Sequence, residues 1–249
     1  MEILIGFLVS LLIGLTGVGA GIVTTPLLIV LLDLDPAVAV GTALLFSAVV
    51  KAYAGTLYFL KNLYDKNVLL LLLSGGVPGV LIGSRGISVF PVNRDVILVL
   101  LGGIVLVSAL VNLFFSVRKI KPLHLREGGI RWILPPVSFL IGIEVGFSSV
   151  GAGVLVELLL LSVTSLSVPA VIGTSLLFGS VISIVGGAVH LSFGNLHPEV
   201  LLGLLIGGMV GSPLSAKLVR LLPQEALRYA LLSFLAVLGG VLIGKGVHL

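Results

Sequence analysis

Long apolar runs separated by short polar stretches make up most of the chain. Eight stand out, at about 3–32, 37–60, 68–88, 95–116, 131–161, 169–192, 199–219 and 225–245. A bilayer-spanning helix needs roughly 20 apolar residues, so the pattern predicts an all-α polytopic membrane protein. The first and fifth runs are longer than the rest. Each covers roughly 30 residues, about 45 Å as a straight helix, which exceeds the hydrocarbon core. Each is also interrupted in its middle, by Gly14-Leu15-Thr16-Gly17-Val18-Gly19-Ala20-Gly21 and by Gly146-Phe147-Ser148-Ser149-Val150-Gly151-Ala152-Gly153.

The two interruptions lie 132 residues apart, and other features keep that spacing. Gly41-Thr42-Ala43-Leu44-Leu45-Phe46 recurs as Gly173-Thr174-Ser175-Leu176-Leu177-Phe178, and Gly75-Gly76 with Gly79 recurs as Gly207-Gly208 with Gly211. Without gaps at this offset, residues 14–83 match residues 146–215 at 23 of 70 positions. Chance in so Leu-, Val- and Gly-rich a chain gives roughly one in nine. The chain therefore reads as two homologous halves of about four hydrophobic segments each, the first of each half broken. The first half covers 1–117 and the second 132–249. Between them, 118–131 is a basic linker carrying Arg118, Lys119, Lys121, Arg126 and Arg131.

Broken segments at corresponding places in two membrane halves point to a site near the midplane. Lipid cannot satisfy the backbone groups that a break frees, so these must face protein, water or a substrate. A half-helix N-terminus at that depth presents free N–H groups and partial positive charge, which suits an anion. Packing of helices through small-residue seams also uses glycine, but it does not need five Gly/Ala positions within eight residues.

Composition narrows the chemistry. Hydrophobic residues are 58% of the 249 and charged residues 10%, where a soluble domain carries about a quarter charged. Mean hydropathy is +1.31. No stretch is polar enough for a water-soluble domain, and with Glu2 in place of a basic n-region the N-terminus does not read as a cleavable signal. The absence of cysteine excludes disulfides and thiolate metal sites. No His-Glu-x-x-His or Gly-x-Ser-x-Gly occurs, and Gly17-x-Gly19-x-Gly21 neither follows a strand nor leads into Gly-Lys-Ser/Thr. No cofactor, no metal and no enzymatic activity is expected. The basic residues form no aromatic-interleaved module, so nucleic acid is not an expected partner.

The residues Gly17-Val18-Gly19-Ala20-Gly21 with Pro26, followed by Pro36-Ala37-Val38-Ala39-Val40-Gly41-Thr42, resemble the TauE/SafE family of sulfite-exporter-like membrane permeases. Ser149–Gly153 and Pro169–Ser175 repeat the pattern in the second half, so the resemblance covers essentially the whole chain. Departures exist: Ala20 and Ala152 interrupt the glycine runs, Ala43 stands where Ser is common, and Glu157-Leu158 replace Thr25-Pro26. The resemblance implies transport of small anions, chiefly sulfite, sulfonates and related organosulfur compounds.

Few polar groups sit inside the apolar runs. Lys51 lies well within segment two, where an ammonium costs about 2.5–3.5 kcal/mol on insertion scales. It needs a partner, a cavity or a route to the interface by snorkelling. On a helix it shares a face with Ser47, Gly55 and Tyr58, and the matching face of the second half is Gly179, Ser183, Gly187 and His190. Glu144 and Glu157 flank the second break. Intramembrane carboxylates carry protons in many transporters; otherwise they partner a basic side chain or a freed N–H. His190 titrates near neutral pH, although a lone His near a helix end also suits an interface. Glu144, Glu157 and His190 are the proton-coupling candidates. The substrate-binding candidates are Gly17, Gly19, Gly21, Thr42, Lys51, Ser149, Gly151, Gly153, Thr174 and Ser175.

The function expected is secondary transport of a small anion across the cell membrane, an organosulfur oxyanion by resemblance. A passive anion channel, or a carrier of a non-sulfur carboxylate, stays open beside it. The partners expected are that anion, the lipid bilayer and a coupling ion such as a proton, with homo-oligomerisation left open. Topology follows from charge. If all eight segments cross once, the basic residues divide eight against five; if segments one and five dip in and return, they divide ten against three. The positive-inside tendency favours the second. It predicts an inverted repeat with a cytoplasmic linker, both termini outside, and two half-helices of about a dozen residues at each break.

Overall fold

The structure is a computed structural model and describes residues 1–16, 20–89, 93–117, 127–150, 153–218 and 224–247. Among these there are ten helices and no strand: α1 (Glu2–Thr16), α2 (Ala20–Leu32), α3 (Pro36–Leu60), α4 (Lys66–Val89), α5 (Arg94–Val117), α6 (Glu127–Ser148), α7 (Val154–Val163), α8 (Val168–Ser192), α9 (Pro198–Leu218) and α10 (Gln224–Val247). In α3–α6 and α8–α10, seven stretches are long and apolar enough to cross a membrane, whereas the apolar stretches of α1 and α2 are shorter. Side-chain placement is that of a protein in lipid. Tyr53, Met209 and Trp132 point outward at 71%, 77% and 83% exposure, while Lys51, Ser47, Ser183 and His190 are buried. This is a multi-pass membrane protein.

The two long runs each divide into two helices, and the divisions fall at the glycine-rich stretches. Their sizes differ from the expectation of matched half-helices. α1 and α2 have 15 and 13 residues, but α6 and α7 have 22 and 10. α6 is longer because Glu127–Arg131, grouped with the linker by polarity, continues the helix. The helix is held there by Ile130, half-buried against the core, a support that hydropathy does not register. The rest of the linker, 118–126, lies outside the described residues.

Close approaches at glycine fix the helix directions. Along α4, Gly75, Gly79 and Gly83 back in turn onto Pro135, Phe139 and Ile143, so α4 and α6 run parallel. Gly203, Gly207 and Gly211 of α9 do the same against Glu2, Ile3 and Phe7 of α1. α3 and α8 run antiparallel, with Gly41 against His190, Gly55 against Leu176 and Leu177, and Gly187 against Leu45. α5 and α10 are antiparallel as well, with Gly102 against Gly239 and Gly246 against Asp95. Such seams let backbones meet where lipid offers no hydrophobic force to bring helices together.

These directions show how the first long run is arranged. α3 begins beside the α8–α9 connection, where Thr42 accepts the His197 N–H at 3.1 Å. α9 starts at that same end, and so does α1, packed parallel to it. Since α1 and α3 leave from one end, α2 has to return to it, and the α1–α2 pair goes in and comes back. A salt-bridge cluster marks that end. Asp33, just after α2, receives Arg94 Nη2 from the start of α5 at 2.9 Å and Lys245 Nζ from the end of α10 at 3.9 Å. Eight single crossings would put Arg94 and Lys245 on opposite sides of the membrane, yet here both reach one carboxylate oxygen.

Candidate functional site

The second break is made by two serines in sequence. Ser149 still donates its N–H to Val145 O at 2.7 Å, so α6 is closed up to it. Its φ of +64° then turns the chain left-handed, a conformation that costs a non-glycine residue on the order of 1 kcal/mol. Ser148 Oγ caps the turn by accepting the Val150 N–H at 3.2 Å. The chain re-enters helix at Val154, with Gly153 buried at the start of α7.

The turn at Ser149 lies directly on the first break. Its carbonyl occupies the place where a Cβ on Gly21 would be. Its hydroxyl lies 2.6 Å from Thr25 Oγ1 and 3.3 Å from the Gly21 carbonyl. Both hydroxyls are buried, at 1% exposure each. The two interruptions, 132 residues apart in sequence, therefore meet in the interior. The contact lies about 17 Å along α2 from the Asp33 end, at 1.5 Å per residue, and the hydrocarbon core is about 30 Å thick.

Ionisable groups inside the helical assembly come from α3, α6 and α7. Lys51, in the middle of α3, is 5% exposed, and Glu157 and Glu144 act on it electrostatically. Glu157, in the first turn of α7, accepts the Ser175 hydroxyl of α8 through Oε1 at 2.9 Å. Glu144, one turn before the end of α6, accepts the Ser148 hydroxyl through Oε1 at 2.9 Å. In the duplicated numbering Glu157 stands where Thr25 does and Ser183 where Lys51 does, so the charges belong to one copy of each pair.

Of the expected site residues, the fold brings Gly21 and Ser149 together at the crossing and joins Ser175 to Glu157, with Gly153 at the head of α7. Gly17, Gly19 and Gly151 lie outside the described residues. Thr42 and Thr174 are placed elsewhere. Thr174 Oγ1 accepts the Asp65 N–H of the α3–α4 connection at 2.9 Å, as Thr42 accepts that of His197. Gly41 and Gly173 let the Asn195 and Leu63 carbonyls of those connections approach. The two Gly-Thr pairs dock the α8–α9 connection onto α3 and the α3–α4 connection onto α8. His190 is fully buried and its Nε2 lies 3.0 Å from the Gly146 carbonyl. A carbonyl can only accept, so that nitrogen carries the proton; among the described residues no donor reaches Nδ1. The sequence reading did not single out Thr25 or Ser148. The alignment of Thr25 with Glu157 at the 132-residue offset was the available signal for the first.

The comparisons with known proteins agree with this architecture. The family model described as Sulfite exporter TauE/SafE matches residues 2–242. A probable membrane transporter protein of Bacillus subtilis (strain 168), YjnA, is 29% identical over 236 residues, covering 86% of this chain and 89% of its own. No solved structure matches the chain. A helical membrane protein whose two breaks meet in its interior, matched from residue 2 to residue 242 by one family model, belongs to the TauE/SafE sulfite exporter family.

Proposed function

We propose that the protein is a secondary transporter of a small organosulfur oxyanion, sulfite or a sulfonate, and that the anion binds where the two breaks cross. The observation that carries this reading is the ammonium of Lys51, buried within the membrane-spanning α3. It is the one buried lysine or arginine among the described residues. The first turns of α2 and α7 begin at the same breaks, and helix N-termini favour anions. The hydroxyls of Ser149 and Thr25 meet where the breaks cross, and hydroxyls are donors suited to sulfonyl oxygens. Thr42 and Thr174 are not part of this site, because each is engaged at a connection.

The test is ligand-induced stabilisation of the purified protein by sulfite, sulfate, thiosulfate, methanesulfonate and acetate. A ligand at about 100 times its Kd adds roughly 2.7 kcal/mol, a readily measured rise in Tm. The reading expects sulfite or methanesulfonate to raise Tm more than acetate, and Lys51→Met to remove the rise. Stabilisation by acetate alone would move the assignment to carboxylates. No stabilisation by any of the five would count against an anion site.

A further inference from the structure

α3 and α9 leave the α8–α9 connection together and run parallel, and α8 and α4 do the same from the α3–α4 connection. At the 132-residue offset the two pairs correspond. Phe46 stands where Phe178 does, Val50 where Ile182 does, Met209 where Val77 does and Ser212 where Val80 does. The pairs are closed to different degrees. Between α4 and α8, the Phe178 ring and the Ile182 side chain both come within 2.9 Å of where a Cβ on Gly76 would be, and Val80 is fully buried against Gly186. Between α3 and α9, the Phe46 ring comes to 3.0 Å from the same place on Gly208. Beside that contact Val50, Tyr53, Met209 and Ser212 line a groove of about 300 Å³. Tyr53 and Met209 stand exposed at its mouth.

Both helices belong to the membrane-spanning set, so the groove opens on lipid. Its mostly apolar wall offers water few partners. An acyl chain gains dispersion contacts there, the contacts that Ile182 and Val80 supply in the other pair. Charge selects the lipid. The groove extends toward the C-terminal ends of both helices. Lys61, exposed, follows α3 about two turns beyond Tyr53. Lys217 lies in the last turn of α9, about one turn beyond Pro213, which also lines the groove. Lys66, exposed at the start of α4, is on that side too. Asp65 beside it is turned to the Val68 N–H at 2.8 Å. Lysines at the ends of membrane helices reach the headgroups and attract anionic lipid. We propose that the α3–α9 groove holds one acyl chain of an anionic phospholipid, with its phosphate at the Lys61–Lys217 end. The lipid completes between α3 and α9 the contact that α4 and α8 make with their own side chains.

The experiment is native mass spectrometry of the delipidated whole protein, titrated with dioleoylphosphatidylglycerol and, separately, with dioleoylphosphatidylcholine. The expected result is one phosphatidylglycerol retained at concentrations where phosphatidylcholine is not, with a higher Tm in its presence. Ser212→Phe fills the groove and should lose that lipid, while Val107→Phe on the exposed face of α5 should keep it. Lys61→Ala should weaken retention roughly fivefold, the effect of one basic residue near the headgroups. Should Ser212→Phe fail to fold, tryptophan fluorescence decides the matter. With Trp132→Phe as background, Met209→Trp should be quenched by an equimolar phosphatidylglycerol brominated on its acyl chains, and Val107→Trp should be quenched far less. Undiminished retention by Ser212→Phe, or equal quenching at positions 107 and 209, overturns the inference. Phosphatidylcholine held as tightly as phosphatidylglycerol overturns the choice of an anionic lipid. A dimer without lipid that Ser212→Phe dissociates overturns it as well and gives the groove to a second copy of the chain.

Discussion

Ser149 and Gly21 are constrained by each other. Ser149 holds a left-handed backbone, and its carbonyl fills the space where any side chain at position 21 would go. Gly21→Ala should therefore destabilise the protein by about 1–3 kcal/mol, the usual cost of overpacking, read as a lower Tm in detergent. An unchanged Tm would mean that the crossing is looser than the structure gives. Ser149→Gly relieves a left-handed residue worth about 1 kcal/mol but removes the hydroxyl that meets Thr25. It should fold at least as well as the wild type and bind anion more weakly. Lys51 behaves differently again. Replacing it with Met removes an intramembrane charge costing about 2.5–3.5 kcal/mol but also the positive charge on which Glu157 and Glu144 act, so stability should change little while anion binding is lost. Unfolding of Lys51→Met, with affinity intact in what remains, would make Lys51 a structural ion-pair member.

Among the helices, the positions of both breaks were legible in the sequence. A glycine cluster inside an apolar run marks either a tight seam or an interruption, and five Gly/Ala positions within eight residues exceed what a seam uses. The start of α3 was legible as well: Asp35 caps it through the Ala37 N–H with Pro36 in the first turn, a position where proline gives up no bond. What the Gly-Thr pairs do was not legible. Their repetition marked Thr42 and Thr174 as important, but periodicity cannot tell a hydroxyl facing a substrate from one facing the N–H of a connection in the other half. The length of α6 was hidden for a similar reason, since its polar first turns are held by Ile130 against the core. The α4–α6 seam yields a prediction at this scale. Gly79→Leu should separate the two helices, because Phe139 and Ile143 backbone atoms already occupy the space, and the variant should fail to purify as a monodisperse protein. A stable, monodisperse Gly79→Leu would show the seam to be compliant.

For the molecule as a whole, the charge distribution and the Asp33 cluster lead to one orientation. When both broken segments go in and return, the order of segments in the sequence assigns Lys61, Lys66, the linker's five basic residues, Lys217, Arg220 and Arg228 to one side, and Arg85, Arg94 and Lys245 to the other. The positive-inside tendency puts the linker face in the cytoplasm. A reporter fused after Leu249 and one inserted near Gly128 should then report opposite sides, and agreement between them would contradict the inverted arrangement. Carriers built on inverted repeats open a midplane site to either face in turn, which a fixed pore does not. The measurement that bears on this most directly is counterflow in proteoliposomes. Vesicles loaded with unlabelled methanesulfonate should transiently concentrate labelled methanesulfonate from outside, saturably, and vesicles with Lys51→Met should not. Linear, non-saturating uptake without counterflow would make the protein a channel, and counterflow undiminished in Lys51→Met would place the anion somewhere other than where the two breaks cross.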